Sequence, residues 1–211
     1  LFKNDRFVSE NHKPVLGKTY TIKASASDLG SASSTEKIPD PGFIKITGFK
    51  DSVYYSNGLS EWLSELNLQI NDNVNEKNYY RLSLYSKSDS TQETHPLIFS
   101  SNDPSLGFDS EELLQEITFE DDLFNGQNYS IVLKVSKDNF YLEDNDLGNR
   151  KNIFVRLTSL SKTYFEYSKS LERYYETNGN PFAEPVQVKS NIINGLGIFA
   201  GFSTSIDSLK Y

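Results

Sequence analysis

Two histidines, His12 and His95, are the first residues to consider for catalysis or metal binding in this chain. Each lies next to a proline or one residue from it, in a segment whose composition indicates a loop. A serine triad would need one of them beside a carboxylate and an identifiable serine, and no G-x-S-x-G motif is present. We therefore expect no catalytic residues, and two loop histidines do not make a metal cluster.

Acidic residues form two short runs, EDD at 120–122 and DND at 144–146. Oxygen ligands spaced along such a loop could bind calcium, but the second run has Gly148 at its fifth position and no glutamate at its twelfth, unlike an EF-hand. Solvated hairpin turns explain both runs better, because Asp and Asn favour turns. A carboxylate pair for glycoside hydrolysis stays open, since sequence spacing cannot show which acids meet in space.

Aromatic side chains are the best candidates for ligand contact. Trp62, with Tyr54 and Tyr55 nearby in the sequence, could present an exposed aromatic surface, although a single tryptophan in a β domain is more often a core residue. Gly195 and Gly197 in the segment NGLGIF do not match a dinucleotide-binding motif, and no lysine follows them to meet a phosphate. We expect no cofactor.

The composition is typical of a folded, soluble, strand-rich protein of 211 residues with 13% aromatic residues. Its 29 acidic and 21 basic residues give a net charge of −8, which argues against nucleic acid or anionic lipid as a partner. The absence of cysteine excludes thiolate metal sites and disulfides within the chain. Because the chain contains no methionine, Leu1 is not a native start, and we expect a piece of a longer protein.

Alternating apolar and polar residues predict a mostly β fold. The polar stretch NDNVNEKN and the pair Asn125-Gly126 are predicted to close hairpins between such strands. The residues predicted to share buried faces are Leu66, Leu68 and Ile70; Tyr80, Leu82 and Leu84; and Tyr129, Ile131, Leu133 and Val135.

Two helices are predicted between the strands. A short one lies near 110–116, where Asp109 and Glu112 fit a capping box, and a longer one lies near 161–178 and ends at Gly179. Tyrosines recur on the longer helix at steps of three and four residues, which indicates packing against a sheet rather than a cofactor site. A proline-rich break near residue 40 separates 1–40, the last strands of a truncated domain, from a β-sandwich-like domain at 41–211.

The segment NGLGIFAGF near the C-terminus is predicted to close the fold. Gly195 after Asn194 would form a turn that requires a positive φ, and Gly197 would let a neighbouring group approach closely. The apolar residues that follow are predicted to form a final strand against the helix: Ile198, Phe199, Ala200 and Phe202.

A series of C-terminal motifs also carries a family resemblance. After the tyrosine-rich helix come Asn180, Pro181 and Phe182, then Glu184 and Pro185, then Ser190 and Asn191, and then NGLGIF from Asn194 through Gly195 and Gly197 to Phe199. This order resembles the C-terminal signature of a family of Bacteroidota outer-membrane lipoproteins, domain of unknown function 4249. Earlier blocks such as PVLGKTYTIKA are similar to it as well.

The resemblance implies a secreted lipoprotein whose signal peptide and acylated cysteine lie outside these residues. It also implies an N-terminal immunoglobulin-like β domain, of which 1–40 would be the last strands. Genes of this family often accompany TonB-dependent receptors, so an outer-membrane β-barrel protein of that type is the implied partner. No catalytic residues come with the resemblance.

Three short motifs are similar to the Asp-Ser/Thr-apolar acceptor for O-glycosylation of exported Bacteroidota proteins. They would place a glycan on Ser52 and Ser208, and in a looser match on Ser90.

These observations together predict a non-enzymatic, lipid-anchored cell-surface protein that acts as an accessory subunit of an outer-membrane assembly. One alternative is a free-standing β module that binds a glycan or a peptide through aromatics such as Trp62. Another is a glycosidase that uses two carboxylates.

Overall fold

The computed structural model describes residues 2–3, 6–7, 12–57, 59–74, 76–88, 94–107, 113–136, 151–179 and 182–210. Strands alternate with polar connections along most of this length, as the period-two pattern predicts. The strands are β1 (Phe2–Lys3), β2 (Arg6–Phe7), β3 (Thr19–Ala26), β4 (Gly30–Lys37), β5 (Phe43–Asn57), β6 (Leu59–Asn71), β7 (Tyr79–Ser88), β8 (Thr94–Leu97), β9 (Phe99–Ser100), β10 (Glu116–Glu120), β11 (Asn128–Ser136), β12 (Lys151–Leu160) and β13 (Phe202–Lys210). The part of the chain that the structure describes has one α-helix, α1 (Lys162–Thr177), which lies between β12 and β13.

Two antiparallel sheets face each other as a sandwich. The first sheet has the order β10-β7-β12-β13, with β8 also paired to β7, and the second has the order β5-β6-β11-β9. The hairpins β1–β2 and β3–β4 form separate two-stranded sheets. The prediction of a mostly β, sandwich-like fold with one long helix is confirmed, whereas the assignment of 1–40 to an immunoglobulin-like domain stays a prediction.

The core lies between the inner faces of the two sheets. Alternate residues of β6, β7 and β11 point inward and are excluded from water, because successive side chains of a strand point to opposite faces. Of the predicted inward residues, Tyr129 is partly exposed and packs against the core. The others are buried: Leu66, Leu68, Ile70, Tyr80, Leu82, Leu84, Ile131, Leu133 and Val135. Alternate residues of β12 complete the core from the first sheet.

The two predicted hairpins are wrong, because both connections cross from one sheet to the other. Residues 72–78 link β6 of the second sheet to β7 of the first, and residues 121–127 link β10 of the first to β11 of the second. We call these connections the first and second arch. At seven residues each they span the distance of about 10 Å between packed sheets, whereas hairpin loops usually have two to five residues.

Buried aspartates hold the two arches together. Asp72 accepts hydrogen bonds from the Tyr80 hydroxyl and from the Gly126 N–H (2.7 Å). Asp121 accepts from the Asn78 N–H (2.9 Å) and is completely buried. The expectation of a solvated turn at 120–122 is therefore wrong for Asp121, because this residue bonds the opposite arch rather than water; the run at 144–146 lies outside the described residues.

Helix α1 matches its prediction at both ends. The Ser161 hydroxyl accepts a hydrogen bond from the Tyr164 N–H (3.3 Å) and so caps the first turn, and Gly179 follows the last turn with a φ of 87°. The described part of the short helix predicted near 110–116 is not helical. Leu114 exchanges two main-chain hydrogen bonds with Phe99, and Glu116 begins β10, so pairing with other strands replaces the helix.

The final strand begins later than predicted, at Phe202, and residues 198–201 precede it as an irregular segment. Asn194, and not Gly195, has the positive φ of the turn (56°). Gly197 has a φ of 117°, but its α-carbon faces open space, so the predicted close approach there is wrong. The close approach is at Gly201, where an added Cβ would meet the main-chain carbonyl of Lys37.

Candidate functional site

The outer face of the first sheet carries a row of polar and aromatic side chains in the middle of β7. Arg81, Ser83 and Tyr85 alternate with the buried Leu82 and Leu84, so the strand pattern itself directs these three outward. Helix α1 covers one end of this face. The ring of Phe165 on the helix lies 4.7 Å from the ring of Tyr79, which fixes the helix over the sheet.

Arg81 lies at the junction between the helix and the sheet. Its guanidinium donates hydrogen bonds to the Ser168 hydroxyl (3.0 Å) and the Tyr164 hydroxyl (3.4 Å) on α1, and it lies 5.2 Å from the centre of the Tyr164 ring. Its Nε is 3.7 Å from a carboxylate oxygen of Glu116 on β10. Only 22% of the Arg81 side chain is exposed, so these contacts hold it in one position.

A cleft of about 540 Å³ opens beside Arg81, between α1, β10 and the turn that precedes it. This volume lies within the range of about 300–1,000 Å³ that is usual for small-molecule sites. Tyrosine rings and hydroxyls line it together with Arg81, and Tyr175 at its mouth is 67% exposed. We call this cavity the tyrosine cleft and define it by Arg81, Glu116, Thr118, Tyr164, Tyr167, Ser168 and Tyr175.

The helical spacing of the tyrosines explains how they reach one cleft. Tyr164, Tyr167, Leu171 and Tyr175 follow each other at steps of three and four residues, which places them on one side of α1. Packing on a sheet, as predicted, is only part of the role of this stripe. The same stripe forms a wall of an open cavity because the helix lies over one end of the sheet.

A second, smaller cavity of about 270 Å³ adjoins the tyrosine cleft, and Glu116 lines both. Arg156 on β12 is exposed here, and its guanidinium lies 4.7 Å from the centre of the Tyr85 ring. The Tyr85 ring is itself stacked on the ring of Phe154 at 5.1 Å. We call this cavity the arginine pocket and define it by Ser83, Tyr85, Thr94, Gln115, Glu116 and Arg156.

Buried ionisable groups with shifted pKa values lie elsewhere, at the two arches. Burial raises the pKa of Asp121, and burial together with the hydrogen bond to Asp72 raises the pKa of Tyr80. Such shifts occur at catalytic sites, but they also occur in structural networks. Here both groups are sealed beneath the arches, and their partners are the main chain and side chains of those arches. We assign them a structural role.

For Tyr54, Tyr55 and Trp62, the aromatic residues predicted to contact a ligand, the structure describes the main chain alone. Tyr54 is directly opposite Trp62 in the register of β5 and β6, and Tyr55 is opposite Glu61. The side chains of residues 52–62 lie outside the described part of the chain, so the prediction that these aromatics contact a ligand remains untested. The tyrosine cleft is formed by other residues, on the opposite sheet.

The predicted modification sites fall in different settings. Ser208 is an exposed residue of β13, while the preceding Asp207 accepts a hydrogen bond from the Ile46 N–H (2.8 Å) on β5. Ser52 lies in β5, but its side chain is outside the described part of the chain. Ser90 lies outside the described residues altogether. Glycosylation of all three remains a prediction.

The C-terminal motif residues follow α1 along the chain. Phe182 is 95% exposed, and Glu184 and Pro185 are also exposed, while Asn180 and Pro181 lie outside the described residues. The two histidines do not meet a metal-binding group: among the residues that the structure describes, no three His, Cys, Asp or Glu side chains are grouped to hold a metal ion. No described helix is long and apolar enough to cross a membrane.

Comparison with known proteins places the chain in a family. The sequence model of one family, described as Domain of unknown function (DUF4249), matches residues 2–207. The chain belongs to this family. The match covers both arches, α1 and the C-terminal motif, so the tyrosine cleft and the arginine pocket lie inside the family's domain. No curated protein matches the chain.

Proposed function

We propose that this member of the DUF4249 family is a non-enzymatic binding protein and that the tyrosine cleft takes a glycan. The observation that carries the proposal is the fixed position of Arg81, whose guanidinium is held by Ser168, Tyr164 and Glu116 at one side of an open cavity. A polar group that is already held in place loses little conformational freedom when a ligand arrives, which favours binding.

The lining of the cleft favours a sugar over an apolar ligand. The Ser168 and Thr118 hydroxyls and the Glu116 carboxylate can exchange hydrogen bonds with sugar hydroxyl groups. The exposed ring of Tyr175 offers an apolar face against which the flat C–H side of a sugar ring can pack. Few polar groups set among aromatic surfaces are typical of small-ligand sites.

A peptide is the competing occupant of the cleft. Peptides that bind to sheets commonly add a strand to a free sheet edge. The strand β10 borders the tyrosine cleft and lies at the end of the first sheet, paired to β7 on one side, so a peptide could add a strand there. The oligosaccharide and peptide panels described below distinguish the two occupants.

We further propose that the protein works as a surface lipoprotein and as an accessory subunit of a TonB-dependent receptor-type β-barrel protein. What supports this setting is the membership of the family, together with the resemblance of the C-terminal motif to outer-membrane lipoproteins of Bacteroidota. Purification from native outer membranes in mild detergent should then recover the protein with a large β-barrel partner. Recovery of the lipoprotein alone would contradict this setting.

Binding in the cleft is tested with oligosaccharide and peptide panels and with two aromatic substitutions. Tyr175→Ala removes the exposed ring of the cleft and should weaken glycan binding by about tenfold or more, a typical loss for a stacked aromatic. Phe43→Ala removes an equally exposed ring from the second sheet and should leave binding unchanged. Loss of binding in both variants, or in neither, would contradict the assignment of the cleft.

A further inference from the structure

The arginine pocket contains a cation, Arg156, that forms no ion pair with an acidic group among the described residues. The guanidinium of Arg81 is near Glu116, and the ammonium group of Lys169 lies 2.9 Å from Glu172, so the charges along the tyrosine cleft are compensated. Among the described residues, no carboxylate oxygen lies within 4 Å of the Arg156 guanidinium. In a chain with a net charge of −8, an exposed arginine with no described carboxylate oxygen within 4 Å can attract an anion from outside.

Packing holds the guanidinium of Arg156 in place, and its N–H groups donate no hydrogen bond to another described residue. Its contact is with the face of Tyr85, and Tyr85 is held in turn by Phe154. Cation–π contact of this kind orients the planar group and leaves its N–H groups at the edge. The five N–H donors of an arginine fit the two oxygens of a carboxylate side by side.

Neutral polar groups complete the pocket around Arg156. Ser83, Thr94 and Gln115 line it, and the side chain of each has a group that can donate a hydrogen bond to an anionic oxygen. Glu116 is the acidic residue among the described lining residues, and its nearest described cation is Arg81 on the side of the tyrosine cleft. The pocket therefore has the donors of a carboxylate site on the side of Arg156.

The two cavities are close enough to bind neighbouring parts of one ligand. Thr158 is directly opposite Arg81 in the β7–β12 register, so Arg156 is the diagonal neighbour of Arg81. Diagonal neighbours of this kind are about 7–8 Å apart, which is comparable to the length of one or two sugar units. Glu116 forms the shared wall.

We infer that the arginine pocket binds the carboxylate of a uronic acid, and that the adjoining sugar of the same oligosaccharide lies in the tyrosine cleft. The ligand class is an acidic oligosaccharide, and this inference rests on the proposed glycan binding in the cleft. The carboxylate pairs with Arg156 side by side, while Ser83 donates to one of its oxygens. The tyrosine cleft supplies packing for the neighbouring ring.

The test compares acidic and neutral oligosaccharides by isothermal titration calorimetry. The probes are trimers of galacturonate, glucuronate and mannuronate, each with its neutral trisaccharide counterpart. At least one uronate trimer should bind more tightly than its counterpart, and added salt should weaken that preference. Arg156→Gln should weaken binding of the acidic trimer by about tenfold or more and leave the neutral one unchanged, since hydrogen bonds to charged groups contribute roughly that much. Arg156→Lys keeps the positive charge but loses the paired N–H donors of the guanidinium, so it should give an intermediate loss of affinity for the acidic trimer.

Matched variants separate this inference from the proposed function. Lys45→Gln removes an exposed cation from β5 on the other sheet and should leave the affinity for every trimer unchanged. The midpoint of thermal unfolding of Arg156→Gln should equal that of the parent protein. Tyr175→Ala could abolish binding of both kinds of trimer while Arg156→Gln changes the affinity for neither. That result would support the glycan site in the tyrosine cleft and overturn the carboxylate site. If no trimer binds, both are overturned. An acidic peptide that binds through Arg156 where no uronate trimer does would overturn the ligand class.

Discussion

The side-chain amide of Asn191 pairs with both main-chain groups of Phe199. Its Nδ2 donates to the Phe199 carbonyl (2.8 Å), and its Oδ1 accepts from the Phe199 N–H (2.9 Å). The side chain thus substitutes for a strand partner and closes the loop that contains NGLG. The same loop is attached to β4, because Ile193 exchanges two main-chain hydrogen bonds with Ser33. This geometry gives the Asn191 and NGLG parts of the family motif a structural role.

Replacing Asn191 by alanine should therefore loosen the C-terminal segment. Two partly buried main-chain groups would lose their partner, which costs about 1–3 kcal/mol in the free energy of unfolding. Chemical denaturation measures this loss. Gln187→Ala is the matched control, because it truncates an exposed amide in the same segment and should cost less than about 0.5 kcal/mol. Equal stability of the two variants would contradict the role given to Asn191.

Two glycines of this segment should respond differently to substitution. Gly201→Ala places a Cβ against the main-chain carbonyl of Lys37, and the Gly201 carbonyl also accepts from the Ser161 N–H at the start of α1. The backbone has to shift there, so we expect a loss of more than about 2 kcal/mol. Gly197→Ala meets no atom and should cost only about 1 kcal/mol for its positive φ. Thermal unfolding of the two variants decides this, and a larger loss at Gly197 would be the contrary result.

Alternation in the sequence was sufficient to predict the buried faces, but not the pairing of the strands. Leu82 and Leu84 face inward whichever neighbours β7 has, because the alternation is a local property of one strand. Whether residues 72–78 turn back or cross to the other sheet depends on distant groups. Asp72 reaches Gly126 and Asp121 reaches Asn78, and these contacts join segments more than 40 residues apart. No local pattern shows them.

The candidate site escaped prediction for a related reason. Arg81 and Arg156 read as ordinary outward residues of half-buried strands, and the tyrosines of α1 read as core-facing. Their grouping depends on where α1 lies on the sheet, which the sequence pattern of the helix does not specify. A usable signal was present in β7, where Arg81, Ser83 and Tyr85 give the outer face of a strand both charge and aromatic surface.

Asp121 should make stability depend on pH in an identifiable direction. Burial raises its pKa above the ordinary value of 3.8, so the folded protein holds this proton more tightly than the unfolded chain does. The contribution to stability is present at low pH and is lost as the pH rises from 3.8 through the folded pKa. Asp121→Asn cannot titrate there and can still accept a hydrogen bond from the Asn78 N–H. Its stability relative to the parent should increase as the pH rises above 3.8, as measured by urea denaturation.

Asp122 provides a control of opposite sign for this prediction. Its hydrogen bond with Lys77, at 2.6 Å, lowers its pKa, so its contribution is present at neutral pH and is lost as the pH falls. Asp122→Asn should therefore be less stable than the parent protein near neutral pH, and the difference should shrink on acidification. If both variants follow the same trend, burial of Asp121 is not the cause of the pH dependence.

Arg81 should determine how firmly α1 is held on the first sheet. Among its described residues the helix has a single buried one, Ser170, so its polar contacts with Arg81 form a large share of its attachment. Arg81→Ala should cost about 1–3 kcal/mol in the free energy of unfolding and should raise amide hydrogen exchange throughout α1 more than in β6. Arg173→Ala removes an exposed arginine from the same helix and should leave exchange unchanged. Slow amide exchange of α1 in Arg81→Ala would mean that packing of the Phe165 ring on the Tyr79 ring is enough to hold the helix. Arg81 would then be needed for ligand binding and not for attachment of the helix.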